Sequence, residues 1–220
     1  MVNDFSRAAK RMVEDFVVSR GISDSRVIDA MISVPRHLFV EDALRGLAYG
    51  DKAIPIGDGQ SISQPYIVAR MTELLMLNGD ETVLEIGGGS GYQSAILSRL
   101  AARVYSVERI SGFVSRARKV LYSAGCHNVF LKCDDGTLGW SDKAPFGAIL
   151  VAASAPSVPD ELLSQLEDGG RLVIPVGTME NHKLMRYIRM GDSYTKEYVD
   201  DCRFVPLIGE KGWKMEEIDA

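Results

Sequence analysis

The residues with the clearest chemical meaning form a glycine-rich run, Val83-Leu-Glu-Ile-Gly-Gly-Gly-Ser-Gly-Tyr-Gln93. The apolar residues at its start indicate a strand, and the residues after it indicate a helix. In such a strand–loop–helix, glycines let the backbone turn tightly and approach a ligand closely, because no Cβ stands in the way. The run therefore predicts a ligand-binding loop, with a purely structural turn as the alternative.

The spacing of the glycines distinguishes between two kinds of ligand. The dinucleotide fingerprint Gly-x-Gly-x-x-Gly needs a small third residue so that helix and strand can pack closely, and counting from Gly87 that position holds Tyr92. The pattern is instead Glu-x-Gly-x-Gly-x-Gly, from Glu85 through Gly87, Gly89 and Gly91. A carboxylate is a poor neighbour for a pyrophosphate but a good one for a sulfonium and an ammonium. The expected cofactor is therefore S-adenosylmethionine, which carries both of these cations.

Two acids follow the loop at positions that suit a nucleoside. Glu108 ends the next predicted strand, 21 residues after Gly87, where an acid can accept both ribose hydroxyls. Asp135-Gly136 comes just past the third predicted strand and is placed for the adenine edge. The alternatives are an ion pair between Glu108 and Arg109 or another base, and an ordinary Asp-Gly turn at 135–136.

The composition indicates a globular protein that does not act mainly on nucleic acid. The chain has 220 residues, 46% hydrophobic and 25% charged, with a net charge of −5 and a pI of about 5.3. A protein that grips phosphate backbones needs a clustered excess of Lys and Arg. The one basic cluster, Arg109 with Arg116, Arg118 and Lys119, has the spacing of a solvated helix face.

No membrane span, leader segment, metal site or disulfide framework is expected. The longest apolar runs, such as 148–153, are far shorter than the roughly 20 residues of a membrane span. Charged residues are spread throughout residues 1–20, which excludes the apolar core of a signal peptide. Cys126, Cys133 and Cys202 form no Cys-x-x-Cys pair, which favours a reducing compartment. We expect a cytoplasmic monomer.

Helices are predicted before the glycine run. Apolar residues at helical spacing predict a first helix that ends at Gly21. Ser23 is the expected N-cap of a second helix, which Pro35 stops. A Gly- and Pro-rich stretch, 54–65, follows, and Pro65 opens a third helix.

From Thr82 onward predicted strands and helices alternate, which is typical of βαβ units with a parallel sheet and helices on both faces. Residues 183–207 alternate more like antiparallel strands, so the sheet should be mixed but mostly parallel. The expected fold class is α/β, Rossmann-like. We expect a single domain in three parts: an N-terminal helical and substrate-loop part (1–80), a cofactor-binding core (81–180), and C-terminal strands with a tail (181–220). The predicted strands are 83–86, 104–107, 129–131, 148–151 and 171–174, and the predicted helices are 93–100, 112–124 and 159–166.

Segments along most of the chain resemble those of one family. They are Val34-Pro-Arg-His-Leu-Phe-Val40, Leu47-Ala-Tyr, Ile54-Pro-Ile-Gly-Asp-Gly-Gln-Ser-Ile-Ser-Gln-Pro65, Val83 to Gln93, Val104-Tyr-Ser-Val-Glu-Arg109, Gly139-Trp140, Ala144-Pro-Phe146, Gly169-Gly-Arg-Leu-Val-Ile-Pro-Val-Gly177 and Phe204-Val-Pro-Leu207. The chain resembles the protein-L-isoaspartate O-methyltransferases, from about residue 20 to residue 209. The Ser-Ile-Ser-Gln-Pro segment is specific to this family, whereas the glycine loop is shared by many methyltransferases.

The resemblance implies a class I methyltransferase fold and a repair reaction. S-adenosylmethionine would methylate the α-carboxylate of L-isoaspartyl residues in damaged proteins and peptides, and the ester would cyclise to a succinimide that hydrolyses partly to aspartate. Ser63 would be the catalytic hydroxyl that hydrogen-bonds the acceptor carboxylate, with Val205 and Pro206 beside it in the substrate site. The alternative for Ser63 is a cap of the helix that begins at Pro65. The implied cofactor residues are Ser61, Gln64, Glu85, Gly87, Gly89, Ser90, Gly91, Glu108, Arg109, Asp135 and Gly136.

This chemistry explains why no catalytic base is apparent. A carboxylate is already a nucleophile at neutral pH, so methyl transfer requires orientation and a dry site rather than proton removal. His37, His127 and His182 form no nucleophile–base pattern, and we expect them to be surface or packing residues.

Four positions depart from the family pattern. Gly88 stands where Thr is usual, Asp134 replaces a glycine, Gly147 replaces Asp, and Ala152 replaces Thr. Drift within a working enzyme would explain them, and so would an altered acceptor or a weakened cofactor site. The competing functions are therefore a related methyltransferase with another acceptor and a cofactor-binding protein without catalysis. A nicotinamide oxidoreductase is disfavoured by Tyr92.

Overall fold

The computed structural model describes residues 4–218. Its helices are α1 (Asp4–Phe16), α2 (Ser25–Ser33), α3 (Pro65–Leu74), α4 (Tyr92–Leu97), α5 (Ser111–Ser123), α6 (Asp160–Ser164) and α7 (Met215–Ile218). Its strands are β1 (Ile54–Gly57), β2 (Gln60–Ile62), β3 (Thr82–Ile86), β4 (Arg103–Glu108), β5 (Val129–Cys133), β6 (Phe146–Val151), β7 (Leu166–Gly177), β8 (His182–Met190) and β9 (Ser193–Cys202). None of these helices is long and apolar enough to cross a membrane.

The main sheet confirms the predicted mixed, mostly parallel arrangement. Its strand order is β5-β4-β3-β6-β7-β8-β9. The strands from β5 to β7 pair in parallel, and β8 and β9 are added antiparallel. The chain goes from β3 to β4 on one side and returns to β6 on the other, so a crevice opens at the carboxyl ends of these strands.

Both faces of the sheet carry an apolar core, because successive strand residues point to opposite faces. In β3, Val83 belongs to a cluster with side chains of α1 to α5. Its neighbour Leu84 belongs to a second cluster, to which α6 contributes Leu162. Helices therefore lie on both faces as predicted, with most of them on the Val83 side.

The second helix begins one residue later than the sequence indicated. Its N-cap is Asp24, whose Oδ1 accepts a hydrogen bond from the Arg26 N–H at 2.9 Å. The prediction of Ser23 as the cap is wrong, because a distant residue fixes the chain here. The Glu73 Oε1 of α3 accepts hydrogen bonds from the N–H groups of Ser23 and Asp24, at 2.8 and 3.0 Å.

We expect Asp24→Ala to lower the free energy of unfolding by about 1 kcal/mol, the usual cost of an N-cap. Ser23→Ala is the matched control and should change it by less than about 0.5 kcal/mol, as for an ordinary surface site. Urea denaturation followed by circular dichroism measures both. Equal losses in the two variants would contradict the assignment of the cap.

Two elements extend beyond the predicted pattern. The stretch 54–65 contains the hairpin β1–β2, which buries Ile54, Ile56 and Ile62. The last strand of the parallel set begins at Leu166 rather than near residue 171, so the predicted helix 159–166 ends earlier, at Ser164. The Glu-Asp-Gly-Gly residues at 167–170 concealed this strand, because acids and glycines are depleted in strands. Its register slips between Phe146 and Ala148 of its neighbour.

Candidate active site

A cleft lies at the carboxyl ends of β3, β4 and β6, where the topology predicts a ligand site. Its free volume is about 880 Å³, including the part that is open to solvent. The glycine loop, the hairpin β1–β2 and the segment 204–208 form its walls. The predicted site residues in these walls are Ser61, Ser63, Gly87, Gly89, Ser90, Glu108, Arg109, Gly136, Val205 and Pro206.

The glycine loop has the backbone conformation that its sequence requires. Gly87 has φ +84° and Gly89 has φ +50°, in the left-handed region that residues with a Cβ rarely adopt. The Gly87 N–H donates to the Val107 carbonyl at 2.9 Å, which continues the pairing of β3 with β4 past the end of the strand. The loop therefore leaves the sheet directly beneath the cleft.

Glu108 presents its carboxylate in the cleft while it supports the loop. It is only 9% exposed. Its Oε2 accepts from the Gly89 N–H at 3.0 Å, and its Oε1 accepts from the Ile110 N–H at 2.8 Å. Among residues 4–218 it forms no ion pair with Arg109 or any other base, so that alternative is wrong. Each carboxylate oxygen keeps a lone pair that can accept a ribose hydroxyl.

Glu85 lies elsewhere, and the expectation that it contacts the cofactor needs correction. Its side chain is fully buried and is absent from the cleft walls. Its Oε2 accepts a hydrogen bond from the Ser94 hydroxyl of α4. Burial raises the pKa of Glu85, and the nearby charge of Glu108 acts in the same direction. Because side chains alternate along β3, Ile86 faces the cleft and Glu85 faces the underside of α4.

Three further predicted cofactor residues also lie outside the cleft walls. Asp135 is committed to other contacts: its Oδ1 accepts from the Thr137 N–H at 2.8 Å, and its Oδ2 accepts from the Glu210 N–H at 2.7 Å. Gly91 is the N-cap of α4, where a Cβ would lie 3.2 Å from a side-chain carbon of α5. Gln64 donates to Asp51 Oδ1 at 2.9 Å and lines a neighbouring groove.

Ser63 lies in the link between β2 and α3 with a free hydroxyl. Within residues 4–218 this hydroxyl has no hydrogen-bond partner. The N-cap of α3 is Gln64, without a side-chain cap, so the capping alternative for Ser63 is wrong. The half-buried side chain of Ser63 lines the cleft and also the neighbouring groove, and so does the exposed Ser61.

That groove continues from the cleft past Ala152 and Val205. Its free volume is about 1270 Å³, including the part that is open to solvent. Phe204 and Val205, the first two residues of the segment Phe204-Val-Pro-Leu207, form one side. This segment is held by a hydrogen bond from the Ser154 N–H to the Val205 carbonyl at 2.8 Å. His182 also holds it, because its Nδ1 accepts from the Phe204 N–H at 3.1 Å.

The three histidines do not form a proton-transfer site. His182 is buried, His37 is half-buried with its Nδ1 2.8 Å from the Tyr49 hydroxyl, and His127 is exposed. None of them lines the cleft.

Sequence reasoning did not identify every residue of the cleft walls, and Ile56, Gln60 and Ile208 are among those it missed. Ile56 and Gln60 come from the hairpin, whose alternating isoleucines around Gly57-Asp58-Gly59 were an available signal. Ile208 comes from the C-terminal segment. This segment folds back because the backbone N–H of Trp213 donates to the Leu207 carbonyl at 2.9 Å. No pattern in the sequence indicated the hydrogen bond between Trp213 and Leu207.

The four departures from the family pattern fall in different places. Gly147 lies near the amino end of β6, where a Cβ would approach Glu81 and Glu167, so its change is remote from the cleft. Asp134 is exposed and pairs with a lysine on β5. At Gly88, a Cβ would overlap the Ser106 hydroxyl, so a glycine is the residue that fits beside Ser106 in this chain. Only Ala152 removes a hydroxyl from the walls shared by cleft and groove.

Comparison with known proteins shows the family to which this chain belongs. The sequence profile of the family "Protein-L-isoaspartate(D-aspartate) O-methyltransferase" matches residues 7–212. The chain is 54% identical to the protein-L-isoaspartate O-methyltransferase of Syntrophotalea carbinolica, over 97% of this chain and 99% of that protein. The corresponding protein of Geobacter metallireducens is 55% identical over 97% of this chain and 100% of its own length. The chain belongs to the protein-L-isoaspartate O-methyltransferase family.

Solved structures agree with the fold. A protein-L-isoaspartate O-methyltransferase with 26% identity superposes with a TM-score of 0.84, over 92% of this chain and 67% of that one. A Plasmodium falciparum protein described as the same kind of enzyme, solved in complex with S-adenosyl-L-homocysteine, has 22% identity and a TM-score of 0.79, over 91% of this chain and 98% of that one. The class I methyltransferase fold is therefore confirmed.

The cleft fits S-adenosylmethionine, the cofactor of the protein-L-isoaspartate O-methyltransferases. The Glu108 carboxylate is in place for a diol. The backbone at Gly136 packs closely against Ile86 at the end of β3, because a Cβ on residue 136 would lie 2.5 Å from Ile86 Cγ2. Ile86 and Val107 supply an apolar floor. These features suit a nucleoside with a short polar chain.

We expect Glu108→Ala to weaken cofactor binding by about 1.5–3 kcal/mol, the value of hydrogen bonds to a charged group. Glu85→Gln is the matched control and should leave the dissociation constant unchanged, because Glu85 lies behind the loop. Calorimetric titration with S-adenosylhomocysteine measures both, with NAD as a ligand that should not bind. An unchanged Kd in folded Glu108→Ala, or comparable affinity for NAD, would contradict these assignments.

Proposed function

We propose that this chain transfers the methyl group of S-adenosylmethionine to the α-carboxylate of L-isoaspartyl residues, with Ser63 as the catalytic hydroxyl. The observation that carries this proposal is the shared wall of the cofactor cleft and the open groove, to which Ser63 belongs. An acceptor peptide in the groove can therefore present a carboxylate to a methyl donor in the cleft. Methylated isoaspartyl residues cyclise to a succinimide, which begins repair.

The roles of the residues follow from the chemistry. When bound, S-adenosylmethionine supplies an electrophilic methyl group on a sulfonium. Transfer to a carboxylate removes both charges, so the protein acts by orientation and by exclusion of water. The Ser63 hydroxyl donates to one carboxylate oxygen and leaves the other free to react. Val205 and Pro206 hold the peptide beside it.

The cofactor residues divide by position. Glu108 accepts the ribose hydroxyls, and Arg109 with Gly136 lies beside the adenine. Ser61 and the loop residues Gly87, Gly89 and Ser90 bind the methionine part. This division is supported by the cleft, in which Glu108 lies at the end of β4 and Gly87 at the end of β3.

We further propose a single methyltransferase domain that acts as a cytoplasmic monomer on proteins rather than on nucleic acids. One apolar cluster runs from Met12 in α1 to Leu184 in β8, which supports a common core for the three predicted parts. The three cysteines are unpaired, which suits a reducing compartment. The net charge of −5 disfavours a phosphate backbone as partner. Size-exclusion chromatography with light scattering tests the oligomeric state.

The experiment for the activity is transfer of labelled methyl groups from S-adenosylmethionine to an isoaspartyl peptide. We expect a base-labile ester, because esters of carboxylates hydrolyse in mild alkali whereas methylated amines do not. Cofactor binding without such transfer would falsify the proposal.

A further inference from the structure

Arg36 is a buried cation that contacts carbonyl groups and a ring. Its side chain is 0% exposed. Its Nε donates to the Ala48 carbonyl at 2.8 Å, and one terminal nitrogen, Nη2, donates to the Ser63 carbonyl at 2.7 Å. Within residues 4–218 no carboxylate forms an ion pair with it. Burying a charge in this way is costly, and an apolar side chain of similar volume would often fill the space with less cost.

The same guanidinium also contacts a second residue that lines the cleft, Tyr92. Its central carbon lies 4.7 Å from the centre of the Tyr92 ring. Tyr92 is the first residue of α4, directly after the glycine loop, and its fully buried side chain lines the cleft. Arg36 therefore contacts both the link that carries Ser63 and the residue that follows the cofactor loop.

This connection matters because Ser63 lies in a two-residue link between a strand and a helix. The link joins the end of β2, Ile62, to the start of α3, Pro65, which has no N–H to donate. The Arg36 hydrogen bond restrains the Ser63 carbonyl and therefore the backbone from which the Ser63 side chain projects. A planar guanidinium donates from a rigid fork of N–H groups while its flat face stacks on a ring, and the compact ammonium of a lysine offers neither the fork nor the flat face.

We propose that Arg36 is a positioning residue for methyl transfer: it fixes the Ser63 hydroxyl relative to the methyl donor by tying the acceptor link to the start of α4. This proposal rests on the proposed function, because it assigns Arg36 a part in that reaction. Arg36 itself does not line the cleft and so touches neither substrate nor cofactor.

The test compares Arg36→Lys with a matched control, Arg171→Lys. Arg171 also donates to two carbonyls, those of Leu75 at 2.6 Å and Met76 at 2.5 Å, and in addition pairs with Glu81. It lies towards the amino ends of the parallel strands and away from the cleft. Both substitutions keep the charge and remove the fork, and both should lower Tm.

Only Arg36→Lys should lower kcat, by about 10- to 100-fold, because a displacement near 1 Å at a reacting group can cost about 100-fold. The Kd for S-adenosylhomocysteine should stay within about threefold, since the cofactor walls remain. Amide hydrogen exchange of residues 60–65 should become faster in Arg36→Lys and stay unchanged in Arg171→Lys. In Arg36→Ala, added ethylguanidinium should restore part of the lost kcat.

Parent-like kcat and exchange in folded Arg36→Lys would overturn the proposal. So would failure of both Arg36 variants to fold, since Arg36 would then be a structural requirement. An inactive parent enzyme would instead refute the proposed function, and the exchange of residues 60–65 would still decide the contact made by Arg36.

Discussion

An isoaspartyl peptide should be methylated readily, and the aspartyl peptide of the same sequence should give no detectable ester. In an isoaspartyl residue the chain continues through the side-chain carbonyl, so the free α-carboxylate lies one methylene nearer the backbone than an aspartate carboxylate. A misplacement of about 1 Å can cost roughly 100-fold in rate, and one methylene exceeds that distance.

The groove has the features that this discrimination requires. One side is formed by Phe204 and Val205, at the start of the segment 204–207. Ser154 holds this segment through two backbone hydrogen bonds, to the Val205 carbonyl at 2.8 Å and from the Leu207 N–H at 2.7 Å. The other side is the Ser63 link. An extended segment can hold a peptide backbone in register, and a fixed hydroxyl then selects one carboxylate position.

The measurement is release of labelled methanol after alkaline treatment, with the two synthetic peptides at equal concentration. The mixture without peptide is the background control. Comparable rates for both peptides would mean that the groove does not hold the backbone, and the assignment of the segment 204–207 as a substrate wall would then be wrong.

Ser63→Ala should reduce kcat by about 10- to 1000-fold, the range seen when one positioned hydrogen-bond donor is removed. Its cofactor affinity should remain close to that of the parent enzyme. The reason is geometric: the hydroxyl has no hydrogen-bond partner among the described residues and lies where the cleft meets the groove. Steady-state kinetics and calorimetry on the same preparation measure the two effects.

Ser61→Ala is the matched control, because it also removes one serine hydroxyl from the walls of both the cleft and the groove. We assign Ser61 to the cofactor, so this variant should raise the Kd and leave kcat at saturating cofactor largely unchanged. Equal losses of kcat in both variants would show that the pair has no division of roles. Full activity in Ser63→Ala would remove Ser63 from catalysis.

The departures from the family pattern now carry different weight. Gly147 lies at the far end of β6 and Asp134 is exposed, so neither bears on the acceptor directly. Ala152 lines both cleft and groove. If acceptor preference differs from that of relatives, Ala152→Thr is the substitution to compare with the parent enzyme.

Local sequence determined much of this protein. The glycine loop could be recognised from its glycines, because the loop needs positive φ angles at Gly87 and Gly89 and other residues are strained there. The alternation of strands and helices gave the α/β fold because parallel strands require crossover helices. The position of Glu108 followed from its place at the end of β4. Each of these features depends on residues that are close together in the chain.

Tertiary structure decided where the side chains point and what they bind. Glu85 turned away from the cleft because α4 covers the face of β3 to which it belongs, and the sequence did not say which face that would be. Asp135 is committed to the C-terminal segment, 75 residues further along. Arg36 reaches the Ser63 carbonyl across 27 residues. Such contacts form only when the whole chain packs, because burial and hydrogen bonding between distant residues are set by the assembled core and not by local preference.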